Sequence, residues 1–155
     1  MALDSIDRRI LQELQQDASL STADLADRVG LSTTPCWRRV RHLESAGYIK
    51  KRVALLDRER LGVATTVFVA VKTRSHAADW LDKFAGAVRD MPEVVEFHRM
   101  SGDVDYLMKV VVPDIPAYDA FYKRLISKID LSDVSSSFAM EEIKTTTALP
   151  LDYLD

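Results

Sequence analysis

The feature that most narrows what this chain can become lies between Leu20 and Gly47. Ser21 is placed as an N-cap with Asp24 three residues on, as in a capping box, and Leu20 and Leu25 hold the two ends of a hydrophobic staple. Leu25, Ala26 and Val29 form one apolar stripe, and Gly30 stands where a helix closes in a left-handed residue. Ser32 caps a further helix at once, with Pro35 in its first turn, where a missing N–H costs little. Cys36, Val40 and Leu43 make the inner face of that helix and Gly47 closes it. Ahead of both, Ile6, Ile10, Leu11 and Leu14 recur at helical spacing behind early acids. Two capped helices joined by Gly30-Leu31 make a helix-turn-helix.

Charge selects which helix faces a partner. The second helix carries Asp24 and Asp27 and repels phosphate. On the third, Val40 points inward, so Thr34, Arg38, Arg41 and Ser45 share the outer arc at helical spacing. Short polar groups at the start and arginines further along suit a helix whose first turns enter a major groove. The chain as a whole has a net charge of −3, yet residues 1–60 carry +2 and residues 61–155 carry −5. Thr33–Arg52 holds six basic residues (Arg38, Arg39, Arg41, Lys50, Lys51 and Arg52) against the single acid Glu44. Such a patch on an acidic protein marks one polyanion-facing surface, set against the plainer reading of a solvated helix face. The expected contacts to double-stranded DNA are Ser32, Thr33, Thr34, Trp37, Arg38, Arg39, Arg41, His42, Lys50, Lys51 and Arg52. Trp37 either packs at the edge of the helical core or lies at the DNA surface, and packing is the expectation.

Tyr48–Leu56 reads as an extended segment, a wing or linker strand whose basic residues touch flanking phosphates. Arg58-Glu59-Arg60-Leu61-Gly62 marks a boundary, giving a winged helix-turn-helix domain over residues 1–62 and a second domain over 63–155. Thr65–Thr73 is β-branched and aromatic, a strand. Ala77–Met91 is a helix, Val94–Met100 and Val104–Val112 are strands around a Ser101-Gly102-Asp103 turn, Pro116–Ile129 is a helix and Val134–Ile143 the last strand. The order βαββαβ is that of a ferredoxin-like sandwich, so the fold class is α+β.

Composition sets the remaining bounds. A chain of 155 residues has room for two small domains, and 47% apolar with 29% charged residues argues against disorder and low complexity. The longest uncharged stretch, Leu61–Val71, is too short to span a bilayer, and MALDSIDRR has no apolar core of a signal peptide. Cys36 is the only cysteine, which excludes an internal disulfide and a cysteine-built zinc site. The expected setting is the reduced cytoplasm, without a membrane partner. Cys36 reads as core filler, with redox sensing as the less favoured alternative. His42, His76 and His98 show no ligand-like spacing, so no metal is expected. No nucleophile–base pair stands out, which argues against an enzyme, although ferredoxin-like domains as a class do host catalysis.

The whole layout resembles the leucine-responsive/asparagine-regulator (Lrp/AsnC) family of transcription factors. Leu3-Asp4…Asp7…Ile10-Leu11…Leu14-Gln15 is similar to the family's first helix, and Asp24-Leu25-Ala26…Val29-Gly30-Leu31-Ser32 to its helix-turn-helix. Arg39-Val40…Leu43-Glu44…Gly47-Tyr48-Ile49 resembles its recognition helix and wing. Gly102-Asp103-Val104-Asp105-Tyr106-Leu107 resembles the G-D-x-D turn of its ligand-sensing domain. Residues 33–39, 97–102 and 135–141 look like the branch that senses cysteine and switches on a cysteine-degrading enzyme, although proline and branched-chain regulators share parts of these stretches.

The resemblance implies a dimer paired through its C-terminal sheets, dimers assembling to a tetramer or octamer, and a small amino-acid effector bound between dimers, with L-cysteine the expected one and no other cofactor. Carried over by position, Gly102, Asp103 and Asp105 match the ligand-side turn, and Ile115, Ser137, Phe138 and Ala139 match pocket-lining positions. A carboxylate there can accept from the effector ammonium, and turn N–H groups can hold its carboxylate. Gly102 and Asp103 also have an ordinary hairpin reading. Asp105, a carboxylate inside an apolar strand, calls for a partner, either a ligand or an intramolecular salt bridge.

Overall fold

The computed structural model describes residues 3–73 and 78–153. By its contacts the chain divides into two compact units. One runs from the N-terminus to Leu55 and takes in the tail from Lys144, and the other is Leu56–Ile143. The tail thus groups with the helical unit, whereas the sequence boundary at residue 62 left it with the sheet. Gln15 explains this: its Nε2 donates to the Leu149 carbonyl at 3.0 Å and its Oε1 accepts from the Leu149 N–H at 2.9 Å.

The helical unit is α1 (Ser5–Gln16), α2 (Thr22–Val29) and α3 (Thr33–Ser45). Asp4 caps α1, its carboxylate accepting from the N–H groups of Ile6 and Asp7, while Asp7 reaches back to the Asp4 N–H in a reciprocal capping box. Ser21 caps α2, accepting from the Asp24 N–H at 3.1 Å and donating to the Asp24 carboxylate at 2.6 Å. Gly30 closes α2 at φ +73°, a left-handed conformation that a side chain would strain. Ser32 holds the N-cap position of α3, but its side chain makes no cap hydrogen bond. Ile10, Leu14, Leu25, Ala26, Val29, Cys36, Val40 and Leu43 form the buried core.

In the second unit β1 (Thr65–Lys72), α4 (Ala78–Arg89), β2 (Val94–Arg99), β3 (Tyr106–Val112), α5 (Ile115–Lys128) and β4 (Asp133–Phe138) follow the expected order. The start expected for α4, Ala77, lies outside the described residues. The strands form one antiparallel sheet ordered β2-β3-β1-β4, the ferredoxin-like arrangement. Val67, Val69 and Val71 of β1 and Tyr106, Met108, Val110 and Val112 of β3 face Phe84, Val88, Phe121 and Leu125 from the two helices. Phe84, Phe97, Tyr106 and Trp80 interlock at 4.9–5.8 Å between ring centres. Both helices of this unit thus cover one sheet face, and Phe68, Ala70, Leu107, Lys109 and Val111 point to the other.

Two expected strands differ. Residues 50–57 belong to no strand, because a strand needs a ladder partner and none pairs with them among the described residues. Ile49 instead packs on the helical core. The last strand stops at Phe138, not Ile143, because its partner β1 begins at Thr65; the Ala139 N–H to Thr66 carbonyl bond at 2.9 Å is the final rung.

Candidate functional site

The outer arc of α3 is as the spacing requires. Thr33, Thr34, Trp37, Arg38, Arg41, His42 and Ser45 are all exposed, on consecutive turns, because Cys36, Val40 and Leu43 hold the opposite stripe in the core. Trp37 is 52% exposed and lies on this arc, so its expected packing role is corrected: its ring stands one position beyond Cys36, off the buried stripe. Lys50 and Lys51 are exposed on the segment beyond Gly47.

Arg39 is a correction of another kind. Its guanidinium reaches Asp4 Oδ2 and Asp7 Oδ1, both at 2.7 Å, and so ties α3 to the start of α1. Asp7 is almost fully buried, and an unpaired carboxylate there would be costly. The Asp7 N–H, then the Arg39 guanidinium, hold the Asp4 carboxyl below the usual aspartate range, and the two carboxylates raise the Arg39 pKa. Arg39 is therefore committed inside the helical unit, unlike its neighbour Arg38. Arg52 is partly committed, pairing with Glu44 and donating to the Ala18 carbonyl, each at 3.3 Å. Glu44 also takes Arg41 at 3.2 Å, which leaves the Arg41 side chain largely in solvent. No local pattern announces the Arg39 pairing, since Asp7 lies 32 residues away.

Cys36 is fully buried and burial pushes its thiol pKa up, which disfavours the reactive thiolate. Among the described residues no group of His, Cys, Asp or Glu could hold a metal ion, and no helix is long and apolar enough to cross a membrane. His76 lies outside the described residues.

The residues matched to the effector site fall into separate places on the sheet. Gly102 adopts φ +111° in the turn between β2 and β3, closed by the Met100 N–H on the Asp105 carbonyl at 2.8 Å. Asp103 is 89% exposed at its side chain and pairs with Lys72 at 2.9 Å, which raises the Lys72 pKa. Asp105 Oδ2 accepts from the Thr73 N–H at 2.8 Å, binding the start of β3 to the end of β1. These three residues gather at the Val71–Tyr106 end of the sheet.

Ser137 lies at mid-sheet opposite Phe68, whereas Phe138 pairs with Val67 and Ala139 with Thr66 near the opposite end. Ile115, two-thirds exposed, opens α5 just beyond Pro113, whose carbonyl accepts from the Thr65 hydroxyl. Six strand rises of about 3.3 Å, roughly 20 Å, separate the ends. One chain therefore does not bring the turn and Ile115, Phe138 and Ala139 into a common pocket. The Phe138 ring meets Tyr118 edge-on at 5.2 Å, and Tyr118 bonds the Ser136 hydroxyl beneath it. An open cavity of about 320 Å³ elsewhere, lined by Ala85, Val88, Arg89 and residues 94–97, includes none of the expected positions.

Sequence reasoning overlooked Lys72 and Arg58. Lys72 was legible as a charge closing β1 on the face opposite the helices; Arg58 was not, since one of its partners, Glu142, is 84 residues away.

Comparison with known proteins agrees with this geometry. Residues 66–149 match the Lrp/AsnC ligand binding domain, and residues 3–50 a winged helix-turn-helix DNA-binding domain. The DNA-binding transcriptional activator DecR of Escherichia coli K12 is 52% identical over 97% of this chain and 99% of its own. The crystal structure of an AsnC family transcriptional regulator from Agrobacterium tumefaciens superposes with a TM-score of 0.96 at 61% identity, covering 98% of this chain and 99% of that one. A transcriptional regulator from Neisseria meningitidis in complex with L-Met has a TM-score of 0.94 at 39% identity, covering 99% of both chains. The chain belongs to the Lrp/AsnC family: it is a DNA-binding transcription regulator with an amino-acid-binding domain, not an enzyme.

Proposed function

We propose that this regulator works in the cytoplasm as a homo-oligomer whose DNA binding changes when L-cysteine lodges between dimers. The observation that carries this is the division of the matched effector residues between a turn and the far end of the same sheet. A pocket made of both needs Gly102, Asp103 and Asp105 from one chain facing Ile115, Ser137, Phe138 and Ala139 of another. The sheet face opposite the two helices, apolar at Phe68, Ala70, Leu107 and Val111 and carrying the Glu96–Lys109 pair, suits the dimer contact. Tetramer or octamer then follows from repetition of the effector contact.

On the DNA side, Ser32, Thr33, Thr34, Trp37, Arg38, Arg41 and His42 reach into the major groove, while Lys50, Lys51 and the partly committed Arg52 hold backbone phosphates. Each helical unit reads few bases, so several half-sites bound by one oligomer supply the affinity. Cysteine is favoured over leucine, proline or methionine by the likeness of residues 33–39, 97–102 and 135–141 to the cysteine-sensing branch, and Ser137 adds an exposed hydroxyl for a polar side chain.

The test is binding to a duplex from upstream of the protein's own gene, with and without L-cysteine, leucine and methionine. A cysteine-specific change in affinity is expected. A response to leucine or methionine alone reassigns the effector, and no response to any amino acid overturns the sensing reading. Asp103→Asn is the sharper variant, because Asp103 has only an exposed ion pair to lose. Cysteine affinity should fall at least tenfold while thermal stability holds; unchanged affinity removes the turn from the site.

A further inference from the structure

An effector response has to pass from the Leu56–Ile143 unit to the unit carrying α3. The chain joins the two only after Leu55 and after Ile143. Arg58 links the two segments that lead to these joins. Its Nη2 donates to Glu142 Oε2 at 2.7 Å, one residue before the second join, and its Nη1 donates to the Thr66 hydroxyl.

The Thr66 hydroxyl and the Arg58 backbone are each held in place. Thr66 is one of two buried polar side chains among the described residues, and its carbonyl accepts from the Ala139 N–H. The Arg58 backbone sits in a closed turn: the Val63 N–H donates to its carbonyl at 2.9 Å, the Leu61 N–H to the Asp57 carbonyl at 3.1 Å, and Gly62 takes φ +71°. Arg60 adds an N–H bond to Asp57 Oδ1 at 3.0 Å. A single guanidinium thus spans from this turn to the start of β1 and to the segment that follows Ala139.

We propose that Arg58 is a positioning residue for the effector response, a clasp that makes the linker and the post-β4 segment move as one with the Thr66–Ala139 rung. The proposal rests on the reading that Phe138 and Ala139 border the effector. A shift at Ala139 acts on Thr66, and Thr66 holds the Arg58 guanidinium, so both joins reorient together. Without the clasp they move independently, and effector binding no longer distinguishes DNA-competent from DNA-incompetent arrangements. A solvent-facing ion pair adds little to folding, so the clasp is read in coupling rather than in stability.

The experiment uses full-length Arg58→Ala, Glu142→Gln and the double variant, with DNA affinity measured with and without L-cysteine and then each other amino acid. In Arg58→Ala the effector-induced change in DNA affinity should fall to within about twofold of none, while cysteine affinity and effector-free DNA affinity stay within about threefold. Glu142→Gln, which removes an exposed acid only, should shift the response in the same direction, and the double variant should do no worse than Arg58→Ala. An undiminished response in Arg58→Ala overturns the clasp, and so does a parallel loss of cysteine and DNA binding, which would make Arg58 a fold-holding residue. Should Arg58→Ala not fold, an unchanged response in Glu142→Gln overturns it. Should no amino acid move the wild type, the sensing reading fails, and the clasp is judged separately by amide exchange. Arg58→Ala must then speed exchange at Val63 and Ala139; unaltered exchange sinks it.

Discussion

In the helical unit, the groups offered outward stand on successive turns of one helix, from Thr33 to Ser45, within thirteen residues of sequence. In the sheet unit, the positions matched to the effector are spread from Gly102 to Ala139 and across about 20 Å of sheet. The helix keeps its hydrogen bonds local, so a stripe of side chains can be complete within one chain. The sheet draws its hydrogen bonds from distant residues and alternates its faces, so positions near in sequence need not share a surface. One surface is whole in a single chain, and the other, in the function proposed above, is completed by a second copy.

Three substitutions test this contrast, in descending order of effect. Phe84→Ala removes the ring around which Trp80, Phe97 and Tyr106 pack. It should cost about 3–5 kcal/mol of stability. Denaturant unfolding checks this, and a loss below about 1 kcal/mol would show that the sheet's aromatic core is not its main support.

Arg39→Ala should cost about 2–3 kcal/mol in melting experiments by leaving the buried Asp7 carboxylate without its cation. It should also weaken the acid sensitivity of the helical unit. The Asp4 carboxyl titrates below its ordinary value in the folded chain, so its contribution is whole above the usual carboxylate range and vanishes as pH falls through the depressed value. Removing Arg39 takes away part of what depresses it, and an acid-unfolding midpoint that does not move would refute the tie.

Arg38→Ala, by contrast, should leave melting within about 0.5 kcal/mol and weaken DNA binding about tenfold, roughly 1.4 kcal/mol. If Arg38 and Arg39 behaved alike in both assays, the division of α3 into an outward arc and an inward tie would be wrong.

What could be read from the sequence follows the same contrast. Ser21, Gly30 and Gly47 announce their roles because caps act within a few residues, and the inner stripe Cys36, Val40 and Leu43 follows from helical period alone. The element order of the sheet unit was legible from changes in periodicity. The end of β4 was not, because it depends on where β1 begins, and Ala139 carries no mark of that. Arg39 looked like its neighbour Arg38, since the difference lies in Asp4 and Asp7 on another helix. The tail's attachment was hidden for the same reason, Gln15 and Leu149 being 134 residues apart. Wherever the deciding partner is distant, a local pattern gives the element but not its commitments.

The burial of Cys36 has a practical consequence. It is the protein's sole thiol, shut inside the helical core with its pKa raised, so a thiol reagent can reach it only when that core opens. Its labelling rate is therefore a natural clock for the opening of the helical core. It also means that free cystine finds no exposed sulfur in the folded helical core with which to exchange.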